Sequence, residues 1–176
     1  MIELERTFLA KSLTDDLQNY PHKEIIDIYI PQASDHPVVR IRKNGDKLEM
    51  TKKQPHEGND ASKQLEQTIN LSAAEYEALA KIPGKKVSKI RFEYPVANQK
   101  AEIDVFQEDL KGLVLIDFEF ENEPDRDAFI MPEICLAEVT QETFIAGGML
   151  CGKSYQDIEQ DLKRFNYQSL YFVTSY

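Results

Sequence analysis

Positive charge is what this sequence lacks most clearly. Twenty-one Lys and Arg residues face 31 Asp and Glu, for a net charge of -10 and an isoelectric point near 4.8. Sequence-independent binding to nucleic acid needs a basic footprint, so nucleic acid is not an expected partner. The same deficit argues against docking on anionic lipid. No apolar run is long enough for a transmembrane helix, so no membrane association is expected. The first residues include Glu3 and Glu5 and show no basic-then-apolar stretch, so no signal peptide is expected either. The two cysteines, Cys135 and Cys151, lack metal-ligand spacing and are too few for a disulfide framework. Two reduced thiols in a cytoplasmic protein are the expectation. His22, His36 and His56 sit in loop-like sequence and receive no role.

What is present fits one globular domain over 1–176. Apolar residues make up 41% and charged residues 30% of a chain of 176, enough for a sizeable core. Segment 2–11 alternates, with Ile2, Leu4 and Phe8 on one side and Glu3, Glu5, Thr7 and Lys11 on the other, which is the period of a strand. Strands are likewise expected at 24–30, 37–43, 48–53, 63–70, 86–94, 100–107 and 113–120. Asn44-Gly45-Asp46 is a hairpin signal. A short helix is expected over 72–82, where Ser72 and Glu75 form a capping box and Pro83-Gly84 ends it. A helical turn near 125–129 and a C-terminal helix over 154–165, capped by Ser154, complete the reading. About eight strands joined by short turns favour an antiparallel barrel or sandwich.

One pattern recurs from strand to strand. Glu3/Glu5, Arg40/Arg42, Lys89/Arg91, Glu102/Asp104 and Asp117/Glu119 are charged pairs at i, i+2, and the residues between them are apolar. In a strand, i and i+2 share a face. A wet outer face would explain any single pair. Solvent-facing sheets, however, usually mix Thr, Ser, Gln and Lys, whereas this face is almost purely carboxylate and guanidinium or ammonium. A sheet that closes with this face inward accounts for the set. Such an interior is costly unless a ligand and a metal compensate it: close carboxylates need a divalent cation, and clustered Arg and Lys suit phosphate.

The ordered motifs resemble the CYTH, or triphosphate tunnel metalloenzyme, family. Glu3-Leu4-Glu5-Arg6-Thr7-Phe8-Leu9 stands for its opening E-x-E-x-K strand, Arg40-Ile41-Arg42 for R-x-R, and Thr51-Lys52-Lys53 for T-x-K. Further on, Lys89-Ile90-Arg91 matches K-x-R, Glu102-Ile103-Asp104 matches E-x-D, Asp117-Phe118-Glu119-Phe120 matches E-x-E-F, and Glu138-Val139-Thr140 matches E-V-T. The resemblance spans nearly the whole chain. It implies a mainly β (α+β) fold: an eight-stranded antiparallel closed β-barrel, or tunnel, with a few flanking helices and a C-terminal helix across one end. It implies hydrolysis of a small triphosphate, with inorganic tripolyphosphate first; an adenylate cyclase of the same family and a polyphosphate or nucleotide binder are the alternatives. Glu3, Glu5, Asp117 and Glu119 would take Mg²⁺ or Mn²⁺, as oxygen-only ligands favour. Lys11, Arg40, Arg42, Lys53, Lys89 and Arg91 would bind phosphate, with Glu66, Glu102 and Asp104 as supporting carboxylates. Catalysis would centre on Glu5, Glu119 and Lys53, and a homodimer is in keeping with the family. Three positions depart from the pattern: Thr7 replaces a Lys, Glu66-Gln67-Thr68 keeps one carboxylate of an expected E-x-E, and Asp117 is one methylene shorter than Glu.

Overall fold

In a computed structural model, which describes residues 1–56 and 58–172, the chain forms one continuous antiparallel sheet. Its strands are β1 (Ile2–Ala10), β2 (His22–Ile30), β3 (Val39–Asn44), β4 (Lys47–Pro55), β5 (Lys63–Asn70), β6 (Lys85–Val96), β7 (Gln99–Phe106), β8 (Val114–Phe120) and β9 (Cys135–Glu138). The order is β5-β4-β3-β2-β6-β7-β8-β1-β9, and a further pairing of β5 with β1 closes the first eight into a barrel. Closure removes the exposed edges that an open sheet would present. The ninth strand is short. It continues the same edge of β1 that β5 occupies: Ile2 to Leu4 pair with Lys63 to Leu65, and Phe8 to Ala10 pair with Cys135 to Glu138.

Local sequence explains the elements. The β3–β4 hairpin turns at Gly45, whose φ of 59° lies in the left-handed region that glycine enters without penalty. Helix α1 (Ala73–Leu79) carries β5 across to β6. The expected capping box is present. Ser72 Oγ accepts from the Glu75 N–H, and the Ser72 N–H donates to Glu75 Oε2 at 2.8 Å. The expected turn near 125–129 is α2 (Glu123–Ala128), capped by Asn122. The short α3 (Gly147–Leu150) was not anticipated; α4 (Tyr155–Lys163) is the C-terminal helix, with Ile158 and Leu162 fully buried.

Two cores result, one on each side of the barrel wall. Outside, Phe8, Phe92, Ile103, Ile116 and Phe118 are covered by Leu17, Phe129 and Leu170. There Phe8 and Phe118 meet edge to face at 5.8 Å, and the Phe129 ring lies 4.7 Å from that of Phe118, both within the range of favourable aromatic contact. Inside, the second core fills one end of the barrel. Leu9, Tyr29, Val87, Phe106 and Leu115 pack against Val139, Ile145, Leu150, Ile158, Leu162 and Tyr167 from the segments after β8. The barrel is therefore plugged at that end. Both cysteines are buried and unpaired. No described helix is long and apolar enough to cross a membrane.

Candidate active site

Above the plug lies a cavity of about 750 Å³. The pairing register explains its lining, because directly opposed residues share a face. Thr7 opposes Asp117 and Glu5 opposes Glu119. Asp27 opposes Arg42, Arg91 opposes Asp104, Glu102 opposes Asp117 and Lys53 opposes Glu66. Every charged i, i+2 pair singled out in the sequence consequently points inward, and all ten residues line this one cavity. Lys53 and Glu66 line it too. Lys11 does not: β1 shifts register between Leu9 and Ala10 and ends there, leaving Lys11 exposed beyond the plug. The reading of Lys11 as a phosphate ligand is corrected on this ground.

The charges sort into three groups. On the first side, Lys53 Nζ lies 2.6 Å from Glu5 Oε1 and 2.6 Å from Glu3 Oε2. The ammonium thus bridges the two carboxylates, and among the described residues it is the one charged partner of both. Burial works to lower the Lys53 pKa, but Glu5 and Glu3 outweigh it and hold the ammonium charged. On the second side, Arg91 donates to Asp104 through Nε and Nη2 at 2.7 Å each, a bidentate charge-assisted pair, and also bonds Glu102. Lys89 bonds Asp104 as well. Burial favours the neutral form of Asp104, yet Arg91 and Lys89 prevail and keep its carboxyl far below the usual range. On the third side, Arg42 grips Asp27 through Nε at 2.6 Å and Nη2 at 2.8 Å. Asp27 is 2% exposed; Arg42 and then Arg40 overcome its burial and lower its pKa.

Two carboxylates are left in excess. Asp117 accepts from Thr7 Oγ1 at 2.7 Å and touches Arg91 only at 3.4 Å. Burial, followed by the charges of Asp104 and Glu5, pushes its pKa up to about 6. Glu119 makes no hydrogen bond or ion pair among the described residues, and burial together with Glu102 raises its pKa. Among the described residues no three carboxylate, histidine or cysteine groups stand together as a ready metal site, because Lys53 occupies Glu3 and Glu5 while Thr7 and Arg91 hold Asp117. The donor set nevertheless suits a divalent cation. It is oxygen-only, and it includes two carboxylates, Asp117 and Glu119, whose burial and acidic neighbours penalise ionisation, a penalty a cation relieves.

Sequence reasoning missed Asp27 and Tyr29. Their signal was available, since Asp27 and Tyr29 alternate with Ile26, Ile28 and Ile30. The motif Glu138-Val139-Thr140 turns out to serve closure. Arg6 pairs with Glu138, Val139 joins the plug, and Thr140 Oγ1 accepts from the Thr7 N–H at 3.1 Å. Thr68 fills the place of the absent carboxylate, donating to Glu66 Oε1 at 2.9 Å.

A closed barrel with cations and carboxylates packed along its bore, plugged at one end, defines a tunnel-type protein for a compact polyanion. Comparison with known proteins agrees. The inorganic triphosphatase of Nitrosomonas europaea is 31% identical over 145 residues, covering 81% of this chain and 91% of that protein. The crystal structure of the inorganic triphosphatase NE1496 superposes with a TM-score of 0.62 at 25% identity, over 86% of this chain and 95% of the other. A candidate adenylate cyclase from Bacillus halodurans shares the fold, with a TM-score of 0.55 at 18% identity over 95% of this chain and 91% of its own. No family model matches the chain. The chain belongs to the CYTH, or triphosphate tunnel metalloenzyme, family, whose triphosphatases are generally metal-dependent.

Proposed function

We propose that this protein hydrolyses inorganic tripolyphosphate to phosphate and pyrophosphate in a reaction that depends on Mg²⁺ or Mn²⁺. The observation that supports it is the convergence of Arg40, Arg42, Lys53, Lys89 and Arg91 with Glu3, Glu5, Asp117 and Glu119 on one enclosed cavity. Fold alone would not fix the activity; the charge arrangement is what favours a short, dense anion. The kinship with an inorganic triphosphatase supports the same substrate.

Glu3, Glu5, Asp117 and Glu119 would hold the divalent ion. When bound, it polarises phosphoryl oxygens and lowers the pKa of water. The protein's own groups do the rest. Arg40, Arg42 and Lys89 offer donors to non-bridging oxygens, and Arg91 stays oriented by Asp104. Lys53 exchanges Glu3 and Glu5 for a phosphate oxygen, which frees both carboxylates. Glu119, without a partner among the described residues, accepts a hydrogen bond from the attacking water and aligns it with the terminal phosphorus. The water oxygen bonds to phosphorus as the bridging P–O bond breaks, and the cations offset charge on the equatorial oxygens.

The test is to incubate the protein with tripolyphosphate or ATP, with Mg²⁺ or Mn²⁺ and with chelator. Phosphate release from tripolyphosphate, lost with chelator, is expected. Cyclic AMP and pyrophosphate from ATP would replace this reading with a cyclase. Tight binding without product would replace it with a binder.

A further inference from the structure

The deeper cations of the cavity all have carboxylate partners. Arg40 faces Asp27 and Glu66, Arg42 grips Asp27, Lys53 bridges Glu3 and Glu5, and Lys89 and Arg91 share Asp104. Lys23 differs. It lines the same cavity, yet its side chain makes no ion pair or hydrogen bond among the described residues. It shares the inward face of β2 with Asp27 and Tyr29, but it stands at the other end of the strand, about 20 Å along it from Tyr29 in the plug. It opposes Arg91 across the β2–β6 pairing. It also borders the β3–β4 turn, where a Cβ at Gly45 would lie 3.7 Å from the Lys23 Cβ. The residue is half-buried, so its aliphatic stem lies along the wall and its ammonium stands at the rim.

That placement matters because of the field around it. Carboxylates outnumber Lys and Arg along the cavity lining, and the whole chain carries a net charge of -10. A polyanion coming from solvent meets repulsion before it reaches the deeper cations. A free ammonium at the entrance acts where the walls focus the field, and raises the local concentration of anions.

We infer that Lys23 is the entry cation of the tunnel: it captures the incoming tripolyphosphate and then holds the phosphoryl group nearest the mouth. This rests on the proposed triphosphatase reading and adds to it a residue that no charged i, i+2 pair marks. Lys23 gives up no partner when it meets the anion, whereas Lys53 must leave Glu3 and Glu5. Its attraction is present in the bound substrate as much as in the transition state, so its loss appears in KM and not in kcat.

Steady-state kinetics on tripolyphosphate with Mg²⁺ test this. At low salt, Lys23→Gln should lower kcat/KM by about five- to tenfold, chiefly through KM, the size of one charged contact at a partly exposed site. Lys23→Glu should lower it further, and Lys23→Arg, which keeps the charge, should stay near the parent. The gap should narrow as salt rises and screens the rim. Melting temperatures should stay near the parent's, since the side chain bonds nothing in the fold. Lys86→Gln is the control: it removes the same charge from an outward residue paired with Glu108 and should change kcat/KM little. Parental kcat/KM in both Lys23→Gln and Lys23→Glu overturns the assignment while the triphosphatase reading stands. An equal loss in Lys86→Gln also overturns it, because net charge and not position would then be acting. If the unaltered protein neither binds nor cleaves tripolyphosphate, that reading fails and the assignment with it.

Discussion

Asp117 is placed where function and stability oppose one another, and Asp117→Asn should separate them. In the folded protein its pKa rises from an ordinary aspartate's 3.8 to about 6, through burial and then the charges of Asp104 and Glu5. Below the unfolded value, both states are protonated and the residue contributes nothing. Between the two values the unfolded chain is ionised while the folded one holds its proton, so stability declines with pH. Above about 6 the full penalty stands, and it amounts to at most about 3 kcal/mol at roughly 1.4 kcal/mol per pKa unit. Asparagine removes that penalty and keeps an oxygen to accept from Thr7 Oγ1, a 2.7 Å bond. It loses the attraction of Arg91 at 3.4 Å. A net gain of about 1–2 kcal/mol is therefore reasonable. For a chain of this size that is about 3–6 °C in Tm. Thermal melts in chelator from pH 4 to 8 should show the variant pulling ahead of the parent as pH rises and holding its lead above pH 7, while added Mg²⁺ stabilises the parent more than the variant. A variant less stable than the parent at pH 8, or a difference that ignores pH, would refute the reasoning.

Arg42→Ala should raise KM for tripolyphosphate by about tenfold or more and destabilise the fold by about 3–5 kcal/mol, because Asp27 is left buried without its bidentate partner. Adding Asp27→Asn should recover much of the stability in denaturant melts but none of the affinity; full additivity of the two changes would deny their coupling. Thr7→Lys would set an ammonium beside Asp117, and phosphate-release assays should show higher turnover if the threonine limits the site. Equal or lower turnover would mark Thr7 as a compatible alternative.

Much of this was legible in the sequence because a strand's period is two. Once Glu3/Glu5, Arg40/Arg42, Lys89/Arg91, Glu102/Asp104 and Asp117/Glu119 were known to share faces, closing the sheet brought them together, and the barrel observed does so. What stayed hidden depended on tertiary contacts. Lys11 kept the right parity, but the irregularity after Leu9 and the end of β1 at Ala10 placed it outside. Asp27 is one carboxylate in an isoleucine-rich strand, and its importance lies in facing Arg42 across a pairing that no local pattern announces. The strand at 135–138 exists because β5 leaves part of the β1 edge open, a geometric consequence of closure. The plug likewise draws on Val139, Ile145, Leu150 and Leu162, which are spread along the chain after the last barrel strand.

A crystal structure with tripolyphosphate and a divalent ion bound tests the central idea most directly. The account predicts the anion inside the barrel, with its oxygens on Arg40, Arg42 and Lys89, Lys53 drawn away from Glu3 and Glu5, and the ion among those carboxylates, Asp117 and Glu119. An anion found on the outer surface, with the interior ion pairs unchanged, would contradict it.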